Sequence, residues 1–174
     1  MHRTKMFAVA AGLLALTSGG IAAQAPAQKK APPAPPTAKH AIVSADELKW
    51  APGPPSLPPG AQMAVLDGDP GKPGLFTLRA KLPDGYTVPP HSHPTDEHVT
   101  VVSGTLMAAM GAKLDEGAMQ AMNAGAYTKM PARMNHYVRA KGETILQIVA
   151  MGPFAVKYVN PGDDPRKKTT AAKQ

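Results

Sequence analysis

The stretch that decides the fold lies in the middle of the chain, where residues 85–104 read GYTVPPHSHPTDEHVTVVSG. His91 and His93 are two residues apart, and residues i and i+2 of a β-strand face the same side. Residues 94–96 predict a turn. A hairpin returning from His93 would then bring the Glu97 carboxylate back to the two imidazoles. Imidazole and carboxylate together suit a borderline divalent metal ion such as iron, manganese, nickel, copper or zinc.

Glycines on both sides complete a spaced pattern, G-x5-H-x-H-x3-E-x6-G, formed by Gly85, His91, His93, Glu97 and Gly104. This pattern resembles the first signature motif of the cupin superfamily and matches it at every fixed position. The resemblance implies an all-β fold, a double-stranded β-helix also described as a cupin or jelly-roll barrel.

A second stretch resembles the second cupin motif, G-x5-P-x-G-x2-H-x3-N. Gly125, Pro131 and His136 stand at their expected spacing, whereas Arg133 and Ala140 replace the usual Gly and Asn. The two departures concern turn geometry and a structural hydrogen bond, so they leave the shape of the loop open. They do not touch the histidine.

Together the two motifs imply one divalent metal ion with His91, His93, Glu97 and His136 as its ligands. Cupin sites keep positions free for water or substrate, unlike closed structural zinc sites. The overall layout resembles the small single-domain cupins that bacteria export, a group without an agreed substrate.

Outward from the motifs, short apolar runs separated by Pro and Gly favour a sandwich or barrel. The runs predicted as strands are Ala41–Val43, Gln62–Leu66, Leu75–Leu82, Tyr86–Val88, His98–Val102, Thr105–Met110, Ala126–Met130, His136–Val138, Thr144–Met151 and Phe154–Val159. Ser103-Gly104 is typical of a turn. Residues 113–123 predict at most a turn or two of helix. The proline-rich residues 50–60 predict an irregular segment that wraps the barrel surface or a subunit contact.

The N-terminus is typical of a secretory signal peptide over residues 1–25, because Arg3 and Lys5 precede an apolar run and then small residues. A short apolar core helix is the alternative. We expect a Pro/Ala-rich linker over 26–40, the barrel over 41–162 and a basic disordered tail over 163–174. Export would place the mature chain in the periplasm or outside the cell. No membrane span is predicted in it.

The net charge of +7 belongs to the two ends of the chain. Residues 41–162 hold ten basic and ten acidic side chains. A nucleic-acid-binding domain carries a basic face on its folded body, so nucleic acid is not an expected partner. The chain contains no cysteine, which excludes thiolate metal sites.

Four further residues are candidates to line a substrate pocket. Tyr86, Tyr127 and Tyr137 lie close to the motifs, although the sequence does not place their hydroxyl groups. Gln147 shares a strand face with Ile145 and Val149, and it either faces the pocket or lies at an edge. His98 is adjacent to Glu97 and is therefore predicted to point out of the barrel.

These residues support two functions. One is a metal-dependent oxidoreductase, dioxygenase-like, that acts on a small oxygen-bearing organic substrate. The other is a non-catalytic module that binds a small ligand or a metal ion in the periplasm. A homodimer is expected, with Ala41–Val43 as a candidate for strand pairing between subunits.

Overall fold

The computed structural model describes residues 42–167, so the predicted signal peptide and linker lie outside the described residues. Nine β-strands and three short 3-10 turns form this part of the chain. The strands are β1 (Ala51–Pro52), β2 (Gln62–Asp67), β3 (Gly74–Leu82), β4 (Thr87–Ser92), β5 (Glu97–Met110), β6 (Gln120–Asn123), β7 (Tyr127–Met130), β8 (His136–Gly152) and β9 (Lys157–Tyr158). The curled antiparallel arrangement is a jelly-roll barrel, which confirms the predicted fold. Between residues 42 and 167, no helix is long and apolar enough to cross a membrane.

Strand β8 holds the barrel together because it pairs with three other strands. Its second half lies between β3 and β5, where Ala150 is opposite Phe76 on one side and Glu97 on the other. Its first half pairs with β4 and with the end of β5. The two long strands β5 and β8 therefore carry the chain from one layer of the barrel to the other.

The core follows from strict alternation of side chains along the central strands. Every second residue of β3 from Phe76 to Leu82 is buried, and the residues between them are only partly covered. The same alternation runs through the second half of β8. Since successive strand residues face opposite sides, the apolar residues of these strands point into the barrel. The inward residues of the two strands are Phe76, Leu78, Ala80, Leu82, Leu146, Ile148 and Ala150.

A proline-rich strap, defined as residues 53–60, joins the two edges of the sheet. It leaves β1 at one edge and reaches β9 at the other, where the Tyr158 hydroxyl donates a 2.8 Å hydrogen bond to the Ser56 carbonyl. The Tyr86 hydroxyl donates a second bond, of 2.5 Å, to the Pro58 carbonyl. Residues 53–60 of the irregular segment predicted at 50–60 therefore cover the barrel, whereas Ala51 and Pro52 are not irregular but form β1 at the edge of the sheet.

Several local predictions were wrong. Ser103-Gly104 is not a turn between strands but a bulge inside β5, where the register against β8 shifts. Residues 113–123 contain one 3-10 turn, within the turn or two of helix expected there, but their second half forms β6, a strand that was not predicted and that pairs with β5. Ile42 and Val43 lie in no strand and are exposed, so the described part of Ala41–Val43 offers no strand edge for pairing.

The ordered chain continues past residue 162, the boundary predicted for the barrel. Asp164 is buried and accepts a 2.8 Å hydrogen bond from the Arg166 Nε. The same guanidinium donates to the Val156 carbonyl at 3.2 Å. These bonds fix residues 163–167 on the barrel, so this part of the predicted disordered tail is structured.

Arg133 adopts the left-handed conformation that the usual glycine of the second motif would adopt, with φ of 62°. Its backbone N–H donates a 2.8 Å bond to the His93 carbonyl, which fixes the loop beside the motif histidines. The substitution therefore preserves the shape of the loop at the cost of backbone strain, since side chains with a Cβ disfavour this region.

We expect Arg133→Gly to raise the free energy of unfolding by about 1 kcal/mol, because glycine adopts a positive φ without strain. Arg133→Ala is the matched control, since it removes the same guanidinium but keeps the Cβ. Urea denaturation of both variants checks this expectation. Equal changes in the two variants would mean that the side chain, and not the backbone, determines the effect.

Candidate metal centre

His91 and His136 meet because β4 and β8 pair in register. The two residues are opposite each other in the antiparallel ladder, and their ring centroids are 4.3 Å apart. Both side chains are buried. Strand pairing alone therefore brings the histidines of the first and second motifs together.

His93 lies just beyond the end of β4, so it is not on the strand as the sequence predicted. Its ring stacks on Phe154, with centroids 4.2 Å apart and an angle of 17° between the planes. It is 4.9 Å from the His91 ring and 5.2 Å from the His136 ring. Contact with the chain after β8 directs this imidazole inward, a role for Phe154 that no feature of the sequence indicated.

Glu97 reaches the same point by a different route from the predicted hairpin. It is the first residue of β5, and in the described chain β5 pairs with β6, β7 and β8 but not with β4. The loop after His93 crosses from one sheet layer to the other. The Glu97 Oε2 lies 3.4 Å from the His93 Nε2 and 3.5 Å from the His136 Nε2.

Hydrogen bonds to backbone carbonyls fix the tautomer of all three imidazoles. The Nδ1 atoms lie 2.7 Å from the Pro89 carbonyl for His91, 2.9 Å from the Ala155 carbonyl for His93, and 3.1 Å from the Met134 carbonyl for His136. A carbonyl oxygen only accepts, so each Nδ1 must carry the proton. Each Nε2 therefore presents a lone pair toward the others, which is the arrangement that outer-shell partners impose on metal-binding histidines.

The convergence of these lone pairs requires a cation. The His136 Nε2 is buried and has no hydrogen-bond partner among the described residues. Three imidazole nitrogens that lie within 4.8 Å of one another and a carboxylate oxygen would repel each other without a positive charge between them. A proton can serve that purpose in metal-free protein. A divalent ion that accepts imidazole and carboxylate ligands fits the same donors better.

The electrostatics of the cluster favour neutral His91 and His93 and an ionised Glu97. Burial first, and then the neighbouring His136 and His93, together lower the pKa of His91 to about 3. Burial also lowers the pKa of His93. Burial acts to raise the pKa of the Glu97 carboxyl, but the adjacent imidazoles, His136 first, outweigh this and hold it below its ordinary value. Neutral imidazoles and a carboxylate are the protonation states that bind metal.

The four residues line a cavity of about 500 Å³ inside the barrel. The strap covers this cavity, and Pro54, Ser56 and Leu57 are part of its wall. Tyr158 links the strap to the cluster, since its ring centroid is 6.1 Å from that of His91. No sequence feature indicated that residues 53–60 would line the site, because prolines predict an irregular segment but not its position in the fold.

The four weaker candidates have different positions. Tyr86 lines the cavity, although its hydroxyl is engaged with the strap. Tyr127 is exposed and forms a 2.6 Å hydrogen bond with the Nδ1 of His98, so both residues lie outside the barrel. Tyr137 is buried, but its hydroxyl donates to the Asp115 carbonyl and it is not part of the cavity wall. Gln147 lies on the outer face with Ile145 and Val149, which alternate with buried residues. Of these candidates, the structure brings only Tyr86 to the site.

Comparison with known protein families agrees with the fold. A model of the ChrR cupin-like domain family matches residues 38–155. Comparison with curated proteins gives no match.

Several solved structures share the fold at low sequence identity. An acetylacetone dioxygenase from Acinetobacter johnsonii has a TM-score of 0.58 and 17% identity, covering 75% of this chain and 85% of its own. The polyketide cyclase RemF from Streptomyces resistomycificus has a TM-score of 0.56 and 18% identity, covering 76% and 94%. The DMSP lyase DddQ from Ruegeria pomeroyi has a TM-score of 0.51 and 17% identity, covering 65% and 61%.

Proposed function

We propose a function from the premise that this chain belongs to the ChrR cupin-like family of the cupin superfamily. It is a metal-dependent enzyme, an oxidoreductase of the dioxygenase kind, that acts on a small oxygen-bearing organic substrate. One observation carries the proposal. Three imidazoles fixed in the metal-binding tautomer and one carboxylate converge on the wall of a mainly apolar cavity inside the barrel.

The residues of the chain have distinct roles in this proposal. His91, His93, His136 and Glu97 would hold one divalent ion. When bound, such an ion acts as a Lewis acid toward a substrate oxygen and supports oxygen chemistry. The carbonyls of Pro89, Ala155 and Met134 orient the imidazoles, because each accepts a hydrogen bond from the protonated Nδ1. The barrel wall and the strap residues Pro54, Ser56 and Leu57 surround the site with mainly apolar side chains.

The cavity lining favours chemistry that depends on the ion. Besides the four proposed ligands, Tyr86 is the only titratable side chain that the described part of the chain places on the wall of this cavity. Burial raises its pKa, and its hydroxyl donates to the Pro58 carbonyl. Tyr86 is therefore a poor acid or base at neutral pH. The acetylacetone dioxygenase of similar fold supports a reaction with oxygen, although a shared fold does not fix a reaction.

The same lining supports a second candidate, a non-catalytic periplasmic module that binds a small ligand or a metal ion. A pocket that offers one ion and otherwise apolar walls can hold a ligand without transforming it. Turnover of a bound compound separates the two candidates.

The proposal extends to the compartment and the assembly. The mature chain acts in the periplasm or outside the cell, in line with the signal-like residues 1–25, and it forms a homodimer. Leu75 and Met151 are neighbours across β3 and β8, and they are 59% and 49% exposed. This outer apolar pair is better placed for subunit contact than Ala41–Val43.

Elemental mass spectrometry of protein recovered from the exported fraction tests the metal centre. We expect about one equivalent of ion per chain, and zinc or copper as the ion, because both bind more tightly than iron or manganese. Sedimentation of the same sample should give the mass of a dimer. Protein loaded with iron or manganese should consume oxygen in the presence of a suitable substrate.

Each outcome has a separate meaning. Failure to bind any ion would show that the four side chains do not form a metal centre. One equivalent of ion without turnover of any compound that binds would favour the binding module. Iron or manganese at full occupancy in the exported material would contradict the expected order of metals.

A further inference from the structure

Among residues 42–167, the walls of the cavity lack charged groups outside the proposed metal centre. Within this range no lysine, arginine or aspartate lines the cavity, and Glu97 is its only acidic residue. Ser56 and Tyr86 carry the only other polar side chains that the described chain places on the wall. A ligand with several charged or hydroxyl groups would therefore leave most of them without partners, at a substantial desolvation cost.

The apolar lining extends far along the barrel from the metal centre. Glu97 is opposite Ala150 in β8, and Leu82 is opposite Thr144 of the same strand. Both Glu97 and Leu82 line the cavity, and their partners are six residues apart on β8. At about 3.3 Å per residue, this separation corresponds to roughly 20 Å along the strand. The cavity is therefore elongated.

The side chains between these two levels are aliphatic. Val99, Ile148 and Leu78 are paired across β5, β8 and β3 one step from the metal centre. Leu146 and Ala80 form the next step. All five line the cavity. A ligand that enters would place an uncharged body against these walls and only one end near Glu97.

We propose that the ligand is an aliphatic molecule with a single oxygen-bearing head. The head lies at His91, His93, His136 and Glu97, and the hydrocarbon body extends along Ala80 and Leu146 toward Leu82. This inference rests on the proposed function for the position of the head. It excludes sugars, phosphorylated compounds and polycarboxylates as ligands of this cavity.

A homologous series of n-alkyl hydroxamic acids with two to ten carbons tests the proposal by calorimetric titration of zinc-loaded protein. We expect the dissociation constant to fall about fourfold for each added methylene, which is the gain for full burial of a CH₂ group. Hydroxamic acids of the same length that carry a carboxylate at the far end of the chain should bind at least about tenfold more weakly. The probes could also remove zinc from the protein, but such chelation involves only the hydroxamate head and would not strengthen with each added methylene.

Two results would contradict the proposal of an aliphatic ligand. One is an affinity that does not change with chain length, and the other is equal binding of the carboxylate-ended probes. One equivalent of zinc in the same sample would leave the metal centre intact in that case. Equal affinity of the probes for zinc-loaded and metal-free protein would contradict the proposal that the head of the ligand lies at the metal centre. Protein that takes up no zinc would overturn the proposed function and this inference together.

A variant pair locates the body of the ligand. Ala80→Leu adds a side chain inside the cavity, whereas Ala121→Leu makes the same change on the exposed β6. We expect Ala80→Leu to weaken the binding of the longest probes about tenfold or more and to leave the affinity for the shortest probes unchanged. The variant should still bind one equivalent of zinc. Ala121→Leu should bind the whole series as the unchanged protein does. Equal weakening of short and long probes by Ala80→Leu would show that the body does not extend along this wall.

Discussion

Replacing His136 with glutamine is expected to weaken metal binding by more than about a hundredfold. Loss of a residue that only supports a metal ligand already lowers metal affinity by up to about a hundredfold. His136 presents its Nε2 directly to the cluster, so its loss should lower the affinity further. The residue is 1% exposed, so the similar size of glutamine limits damage to the packing. Elemental analysis after dialysis against a competing chelator measures the ion that remains.

His98→Gln is the matched control because it makes the same change one residue from Glu97 but outside the barrel. His98 bonds to Tyr127 and does not line the cavity. We expect this variant to keep one equivalent of ion. A full equivalent in His136→Gln, or an equal loss in both variants, would contradict the assignment of the metal ligands.

Replacing Gly104 with alanine is expected to lower the free energy of unfolding by about 4 kcal/mol or more, at the upper end of single-residue effects. Gly104 has a φ of 77°, and a Cβ built there would lie 2.3 Å from the Glu143 carbonyl oxygen. That oxygen belongs to the neighbouring strand β8, so the contact cannot be relieved by a change of rotamer. Urea denaturation measures the loss.

Gly85→Ala is the control for the backbone conformation alone. Gly85 has a φ of 72°, but no atom lies within 4 Å of a Cβ built there. The expected loss is therefore about 1 kcal/mol, the cost of a left-handed conformation for a residue with a Cβ. Similar losses at both glycines would show that the close approach of β8 to Gly104 is not a constraint.

The sequence predicted the barrel and the convergence of the motif histidines because two spaced patterns resemble the cupin motifs, and that resemblance implies both. Short apolar runs bounded by turn residues by themselves favoured a sandwich or a barrel. The position of His98 outside the barrel also followed from alternation. These features require no knowledge of which strands are neighbours.

The features that the sequence did not predict depend on contacts between distant segments. Glu97 reaches the cluster by a crossing between sheet layers, and a loop of three residues after His93 is equally consistent with a hairpin. The stacking of Phe154 on His93 and the bond from Tyr158 to Ser56 join segments about 60 and 100 residues apart in sequence. Strand β6, which follows the single 3-10 turn of residues 113–123, likewise depends on pairing with β5.

The placement of strand edges has a consequence for the colloidal behaviour of the chain. Residues 145–151 read ILQIVAM, an uncharged segment without proline that is typical of sequences prone to amyloid-like stacking. In the barrel, Ile145–Ala150 is hydrogen-bonded to β3 on one side and to β5 on the other. The outermost strands β1, β6, β7 and β9 have two or four residues each. Short edge strands offer few unpaired backbone groups to a strand of another chain. The aggregation-prone segment 145–151 lies between β3 and β5 in the native fold, and it therefore becomes accessible only when one of these strands detaches.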